Sequence, residues 1–373
     1  MAPTTPAFAE ESDEAASASA ESADDSSEPP PAAKPKKKRK KVELTGRIFT
    51  RAALLDKETA ADWTGQTTLQ SARGGVDYHG KDLHAQLELE VAGKPRVKDA
   101  YAQLRLVGGD TKLDLRAGHF KMPFSAIQLE SIWTLPQADR GLIDNILTRR
   151  MQIAGRAYGA MLMLNLGDVE VRGGMFQGRN DVGDVLAAPG DEAFGQDAVV
   201  RATYRPSKGI EIGTSGSARS GQLLVMPVAI EHAYAADVDA VLEQLVGPGR
   251  VRAWLEAMIG TSWITGGMIP GHDRTRFLET RGIGAYRLGG VARRDRYVEF
   301  YALAGYVDPD RIIDRDGIIE TSGGITYGAH DVWRVQLEAE HWTFGDNAPL
   351  GIADFATLPE DSTTFLMQLG AHL

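Results

Sequence analysis

The chain has 373 residues and a formal net charge of −10, because 51 Asp and Glu outnumber 41 Lys and Arg. It has no cysteine, which excludes a disulfide framework and a thiolate metal site. No run of eighteen or more apolar residues occurs, which excludes a transmembrane helix. The length allows two or three soluble domains, but the pattern after residue 43 is continuous and predicts one.

Residues 1–42 are predicted to form a disordered tail. Within it, residues 10–35 are Ala, Ser, Glu, Asp and Pro with almost no aromatic side chain. Such a segment cannot bury enough apolar surface to offset the entropy cost of ordering. Residues 1–9 resemble the small-residue end of a secretory signal without its charged and apolar regions. Either translation starts further upstream or this match is a coincidence.

The tail ends in a basic run, residues 36–41. In isolation such a run suggests nucleic-acid binding or nuclear import. It directly precedes the first strand of a predicted membrane barrel, however, so we expect no nucleic-acid partner. Two interpretations stay open: a solvated tether, or an electrostatic contact with an anionic periplasmic partner such as the cell wall or a lipid surface.

Residues 43–373 carry strand patterns in which apolar and polar residues alternate. The segments 83–91 and 333–340 show this period of two without interruption. Because side chains of a strand point to its two faces in turn, one face is apolar and the other polar. A soluble β-sandwich also alternates, but its strands average about 5–6 residues, whereas a bilayer-crossing strand needs about 9–11.

The connections between these strands alternate in length. Turns of about two to six residues occupy every second junction, and most of the others are longer, which is typical of a transmembrane β-barrel. We therefore predict an all-β fold, a transmembrane antiparallel β-barrel of about sixteen strands spanning 43–373, with both termini periplasmic, in the outer membrane of a Gram-negative bacterium. The predicted strands are 43–53, 71–78, 82–92, 97–107, 111–120, 151–164, 168–177, 197–205, 209–219, 230–243, 250–262, 277–289, 294–306, 317–329, 331–344 and 362–373.

Two short segments resemble a known family. Residues 115–124, LRAGHFKMPF, resemble the strand-to-loop signature of the phosphate-selective porin O and P family, and residues 150–155, RMQIAG, are similar to the return of that loop into the next strand. The resemblance implies a sixteen-stranded, trimeric outer-membrane channel. It also implies that segment 121–150, the third external loop, folds into the lumen and narrows it. The family's anion selectivity depends on lumen lysines and arginines, but residues 43–373 contain only seven Lys.

Basic residues near this loop are the candidate selectivity residues. A ring of charge at the narrowest point of a channel sets its selectivity, and the planar fork of arginine suits oxyanions. Each group has an alternative to a role in selectivity. The loop residues could pair with the barrel wall or lipopolysaccharide, and the wall residues could form cross-strand salt bridges. The loop candidates are Lys121, Arg140, Arg149 and Arg150, beside the acids Glu130, Asp139 and Asp144. The wall candidates are Arg105, Arg116 and Arg156.

No catalytic or cofactor motif occurs, so we expect neither an enzyme nor a cofactor. The eight histidines show no paired ligand spacing, and we expect no metal. An acidic stretch at residues 308–316 allows calcium or plain solvation. The predicted function is passive diffusion of small hydrophilic solutes, anionic or neutral, with a preference for anions such as phosphate. The alternatives are a barrel for anchoring or adhesion with little transport, and a soluble β-rich binding module.

Overall fold

The computed structural model describes residues 41–57, 64–141, 144, 148, 153–177, 196–225, 228–262, 276–290, 294–348 and 361–372, without the side chains of 220–232. The predicted tail lies outside these residues, except for positions 41 and 42, which belong to the first strand. Within the described ranges, no helix is long and apolar enough to cross a membrane.

The described residues form a closed antiparallel barrel of sixteen strands, as predicted. Each strand pairs with the next one along the chain, and the first pairs with the last. A short helix, α1, spans Ala126–Leu129. The strands are β1 Lys41–Lys57, β2 Thr64–His79, β3 Leu83–Glu90, β4 Arg96–Val107, β5 Thr111–Lys121, β6 Arg156–Leu166, β7 Val169–Gln177, β8 Gln196–Ser207, β9 Ile210–Val225, β10 Val228–Val246, β11 Gly249–Thr261, β12 Arg276–Gly289, β13 Arg296–Asp308, β14 Ile318–Ala329, β15 Trp333–Phe344 and β16 Ser362–His372.

The two ends of the barrel differ in their connections. At the end where β1 begins and β16 ends, every turn, from the one after β2 to the one after β14, has two to six residues. At the other end the connections reach 34 residues, in the segment 122–155 between β5 and β6. In outer-membrane barrels short turns are periplasmic and long loops external. We therefore call the end with the short turns periplasmic and the end with the long loops external.

The predicted alternation separates the two faces of the wall. Leu337 and Met367 point outward and are about half exposed, at 51% and 52%, whereas Gln336 and Gln368 point inward and are 1% exposed. An exposed apolar belt with a polar interior is the arrangement that a barrel in lipid requires.

Several strand boundaries differ from prediction, and the largest differences at the start of a strand are those of β2 and β6. β2 begins at Thr64 rather than at 71, because residues 64–68 are all polar or glycine and show no alternation. A strand that continues beyond the hydrocarbon layer needs no apolar outward face there. β6 begins at Arg156 rather than at 151, because Ile153 and Ala154 are buried in the loop and Gly155 has a φ of +106°.

Candidate functional site

The long segment 122–155, here called the constriction loop, starts from the motif at the end of β5. Gly118 in that motif has a φ of +133°, and a Cβ there would collide with the carbonyl oxygen of Ala100 on β4. Only glycine fits such a position. Met122 N–H donates to the carbonyl of Gly155 at 2.8 Å, which closes the neck of the loop. Phe120 and Met122 are buried in a cluster of apolar side chains at this neck.

The first anchor of the loop is the start of α1 against β9, β10 and β11. Ser125, the N-cap of this helix, has a φ of 61°. Its hydroxyl hydrogen-bonds to the Glu256 carboxylate, and its N–H donates to the hydroxyl of Ser215 at 3.2 Å. Ala126 N–H donates to Asp239 at 3.1 Å. The start of the helix is therefore fixed to the wall that β9, β10 and β11 form.

The second anchor is Arg334 on β15. Its guanidinium donates to the carbonyls of Ile132, Trp133 and Leu135 at 2.9, 2.8 and 3.0 Å. It also lies 5.2 Å from the centre of the Trp133 ring, within cation–π range. Arg334 is 2% exposed. One buried arginine thus satisfies three loop carbonyls that would otherwise lack donors.

The third anchor lies on β1 and β15. Ala138 N–H donates to Glu338 at 2.7 Å, and Arg51 donates to Asp139 at 2.9 Å. Burial would raise the pKa of the Asp139 carboxyl, but Arg51 and the N–H of Gly141 hold this pKa below its ordinary value. The loop is therefore fixed by polar contacts along β9 to β15 and β1, and this part of the lumen is filled.

A cavity of about 260 Å³ remains between the loop and the strands β1 to β7. We call it the basic cavity, because its lining includes six arginines and one lysine but only one acid, Asp99. Its lining residues are Arg47, Arg73, Gln86, Asp99, Tyr101, Arg116, Phe120, Lys121, Pro123, Leu129, Ser131, Ile132, Arg140, Arg156, Met161 and Arg172.

Two of these basic groups hold the loop itself. The Lys121 ammonium donates to three successive carbonyls at the end of α1, those of Gln128, Leu129 and Glu130, at 2.8 to 2.9 Å. Arg140 also donates to the Glu130 carbonyl, and burial lowers the pKa of its guanidinium below the ordinary value. Both charges face the cavity, but their hydrogen bonds belong to the loop.

Three other basic groups come from the wall. Arg156 binds both oxygens of Asp99, at 3.1 and 2.9 Å. Arg47 and Arg73 lie opposite each other on β1 and β2 and share the carboxylate of Glu88. This carboxylate stands behind the two guanidinium groups and does not line the cavity.

Arg116 is bound differently from the other wall arginines. It donates to the amide oxygen of Gln103 at 2.7 and 3.1 Å and lies 4.3 Å from the centre of the Tyr101 ring. Among the residues that the structure describes, no carboxylate forms an ion pair with Arg116. Its full charge therefore faces the cavity.

The structure brings together four of the predicted site residues: Arg116, Lys121, Arg140 and Arg156 all line the basic cavity. Arg105 lies elsewhere, near the periplasmic turn after β4, where it pairs with Asp114 at 3.0 Å. The predicted Arg149 and Arg150 lie outside the described residues.

Arg47, Arg73 and Tyr101 line the cavity but were not among the predicted site residues. Their inward phase was readable from the alternation, since each follows the polar face of its strand. Two arginines opposite each other are disfavoured in strand pairs, however. Glu88 on the adjacent strand β3 accepts from both arginines and stabilises that pairing, and Arg73 also pairs with Glu90 at 2.8 Å. Arg172 also lines the cavity from β7, but its place there depends on where the loop leaves space.

Two clusters bear on metal binding. In the acidic stretch, Asp316 accepts a hydrogen bond from the Asp310 N–H at 3.0 Å, and Asp310 accepts one from Ser262 at 3.0 Å. Burial, with the charge of Asp308, raises the pKa of Asp316 to about 7. Within the described ranges, the one group of three side chains spaced to hold a metal is Asp77 with His79 and His84. Strand pairing brings these three residues together although they show no ligand spacing in the sequence. The expectation of no metal stays a prediction.

The chain is similar in fold to outer-membrane barrels of known structure. The outer-membrane channel DcaP of Acinetobacter baumannii matches with a TM-score of 0.60 at 10% identity, over 90% of this chain and 97% of that one. An anion-selective porin from Comamonas acidovorans matches with a TM-score of 0.57 at 14% identity, over 90% of this chain and 100% of that one. The outer-membrane protein OmpT of Vibrio cholerae matches with a TM-score of 0.54 at 12% identity, over 90% of this chain and 98% of that one. No protein-family model and no curated protein sequence matches the chain. The fold is that of outer-membrane porins.

Proposed function

We propose that the protein is a diffusion channel of the outer membrane that passes small hydrophilic solutes and prefers anions. The observation that carries this proposal is the basic cavity, which lies beside a loop that fills the rest of the lumen. A solute that crosses the barrel meets a wall of arginines at its narrowest point, and the local charge there sets selectivity.

The negative net charge of the chain does not oppose this proposal. Charges more than about 8 Å from a solute are largely screened at physiological salt, so the groups that line the constriction dominate. Seven basic groups face the cavity with Asp99. The acids that pair with the arginines, such as Glu88 and Glu90, contact them from outside the lining.

The proposed solutes are small anions with two or more oxygens, such as carboxylates and phosphate. The guanidinium fork binds two such oxygens at once and stays charged at every physiological pH. Phosphate is the narrower proposal and rests on the resemblance of residues 115–124. The similarity to a porin described as anion-selective supports the wider proposal, a preference for small anions in general.

We also propose a homotrimer in the outer membrane. Its support is the exposed apolar outer face of the barrel and the description of one similar structure, of OmpT from Vibrio cholerae at 13% identity and a TM-score of 0.52, as a trimer form. Light scattering of the detergent-purified protein, corrected for bound detergent, should give three chains per particle. A mass of one chain would contradict this assembly.

The central test is the reversal potential of single channels in a potassium chloride gradient across a planar bilayer. The wild type should favour chloride, and Arg116→Glu should shift the reversal potential toward potassium. Arg105→Glu is the matched control, because Arg105 also points inward from β4 but lies outside the basic cavity. A wild-type channel that prefers potassium, or equal shifts for both variants, would contradict the anion preference. A barrel that inserts without conducting would indicate the anchoring or adhesion role instead.

A further inference from the structure

Three potential metal ligands meet at the periplasmic mouth of the barrel. Nε2 of His84 lies 2.6 Å from an Asp77 carboxylate oxygen, and Nε2 of His79 lies 3.4 Å from the same oxygen. The two imidazole rings are stacked, with centres 4.6 Å apart and planes 9° from parallel. One ligand atom from each residue lies within 4.8 Å of the other two.

The β2–β3 hairpin creates this grouping. His79 and His84 are directly opposite each other in the strand register, and a short turn at 80–82 connects them. Asp77 is two residues before His79 and therefore points to the same face of the strand. All three share the inward phase of Gln86, which lines the basic cavity.

We propose that Asp77, His79 and His84 bind a divalent transition-metal cation, with Zn²⁺ as the reference ion. Imidazole nitrogen and carboxylate oxygen are the ligands that Zn²⁺ accepts at about 2.0–2.2 Å, with water in an open fourth position. Ligands at that distance from a tetrahedral ion lie roughly 3.3 Å apart, a spacing these atoms reach by small side-chain rotations. Calcium and magnesium need mostly oxygen ligands, and one carboxylate does not supply them.

The neighbouring side chains leave the site open to ions. The side chains of His79, His84 and Asp77 are 47%, 27% and 18% exposed. On β1, Lys41 and Glu43 lie opposite His79 and Asp77, and they form an ion pair with each other. The Lys41 charge is thereby balanced next to the site.

The site is one side chain away from the basic cavity. The His84 ring meets the edge of Tyr101 with centres 5.5 Å apart, and Tyr101 carries Arg116 on its ring. If the protein is the anion channel proposed above, a bound dication adds positive charge at the periplasmic mouth. Zinc on that side should then increase the preference for chloride.

Binding is tested first and does not depend on channel function. Isothermal titration of zinc chloride into the detergent-purified barrel, carrying an affinity tag free of histidine, should give one ion per chain. Loss of even an outer partner of a metal ligand costs roughly 10–100-fold in affinity, so His79→Gln and His84→Gln should each weaken binding by at least roughly tenfold. Calcium chloride should give no binding at this site.

His330→Gln is the matched control for these variants. His330 also lies at a periplasmic turn with a neighbouring carboxylate, Asp331 at 3.5 Å, but among the described residues it belongs to no group of three potential ligands. Its variant should bind zinc as the wild type does. Asp77→Asn gives a further variant if a histidine substitution prevents folding.

Two results would overturn the site. One is a wild type that takes up no zinc at micromolar concentration, and the other is unchanged affinity in His79→Gln, His84→Gln and Asp77→Asn. If zinc binds as expected but leaves the reversal potential unchanged, the metal site stands and the link to anion selectivity is removed.

Discussion

The two sides of the lumen use the same residue type in opposite ways. On β11, β12 and β15, Arg252, Arg281 and Arg334 are 2–3% exposed, and each donates to a loop carbonyl. On β5 and β7, Arg116 and Arg172 face open space. We call these the filled side and the open side. An arginine on this wall therefore holds the loop or faces open space according to whether the loop covers it.

Removal of a loop anchor on the filled side should have the largest effect on stability and conductance. Arg334→Met leaves the carbonyls of Ile132, Trp133 and Leu135 without donors, at a cost of about 1–3 kcal/mol for each buried group left unpaired. We expect a lower free energy of unfolding in detergent and a higher, noisier single-channel conductance. Arg296→Met is the control, because Arg296 is exposed on the outer surface and its one hydrogen bond, to Tyr327, is 3.4 Å long. Equal losses in both variants would argue against loop anchoring by Arg334.

The comparison of Lys121→Met with Arg116→Met separates two roles of basic residues on the open side: anchoring the constriction loop and attracting anions. Both remove one positive charge from the basic cavity. Lys121→Met also removes three hydrogen bonds from a charged donor, each worth about 1.5–3 kcal/mol. Both variants should shift the reversal potential toward potassium, but only Lys121→Met should lower the melting temperature markedly and increase current noise. Identical behaviour of the two variants would contradict the division of roles.

A smaller effect should come from pH at the external connection between β13 and β14, which contains Asp316. In the folded protein Asp316 has a pKa raised to about 7, so it keeps a proton that the unfolded chain releases above about pH 4. Its contribution to stability is therefore fully present below pH 4 and is lost as pH rises toward 7. We expect the melting temperature to fall between pH 5 and 8, and Asp316→Asn to reduce that dependence. A melting temperature that rises over this range to the same extent in both proteins would contradict the raised pKa.

The smallest effect should come from deleting residues 1–40. The deletion removes six basic and eight acidic residues, all of which precede β1 in the sequence. If selectivity resides in the open side, the reversal potential should stay unchanged, and stability should change by no more than about 0.5 kcal/mol. A large loss of folded barrel would mean that this segment packs against it. Loss of binding to anionic vesicles or cell-wall fragments after the deletion would support the proposed periplasmic contact of the basic run.

The alternation of side chains made the wall predictable, because every inward and outward position follows from a period of two. Alternation placed Arg116 and Arg156 on the inward face of the wall, and the motif at residues 115–124 pointed to the loop of Lys121 and Arg140. The division between filled and open sides could not be predicted. It depends on contacts such as Arg334 to Leu135, between residues about 200 positions apart in the sequence.

The pairs that depend on register were also hidden in the sequence. Arg47 opposite Arg73, and His79 opposite His84, become neighbours only when two strands align. A shift of one residue would send these side chains to the other face. The bulge in the β1–β2 pairing between Phe49 and Thr50 adds a local offset that alternation alone does not reveal.

The anchors of the constriction loop also set an order of assembly. Asp139 contacts β1, and its neighbour Ala138 contacts β15, two strands that come together only through β16. Contacts between residues so distant in the sequence form late, because the cost of closing the intervening chain must be met first. The loop can take its final position only once the first and last strands have joined. Closure of the barrel therefore precedes the final placement of the constriction loop inside it.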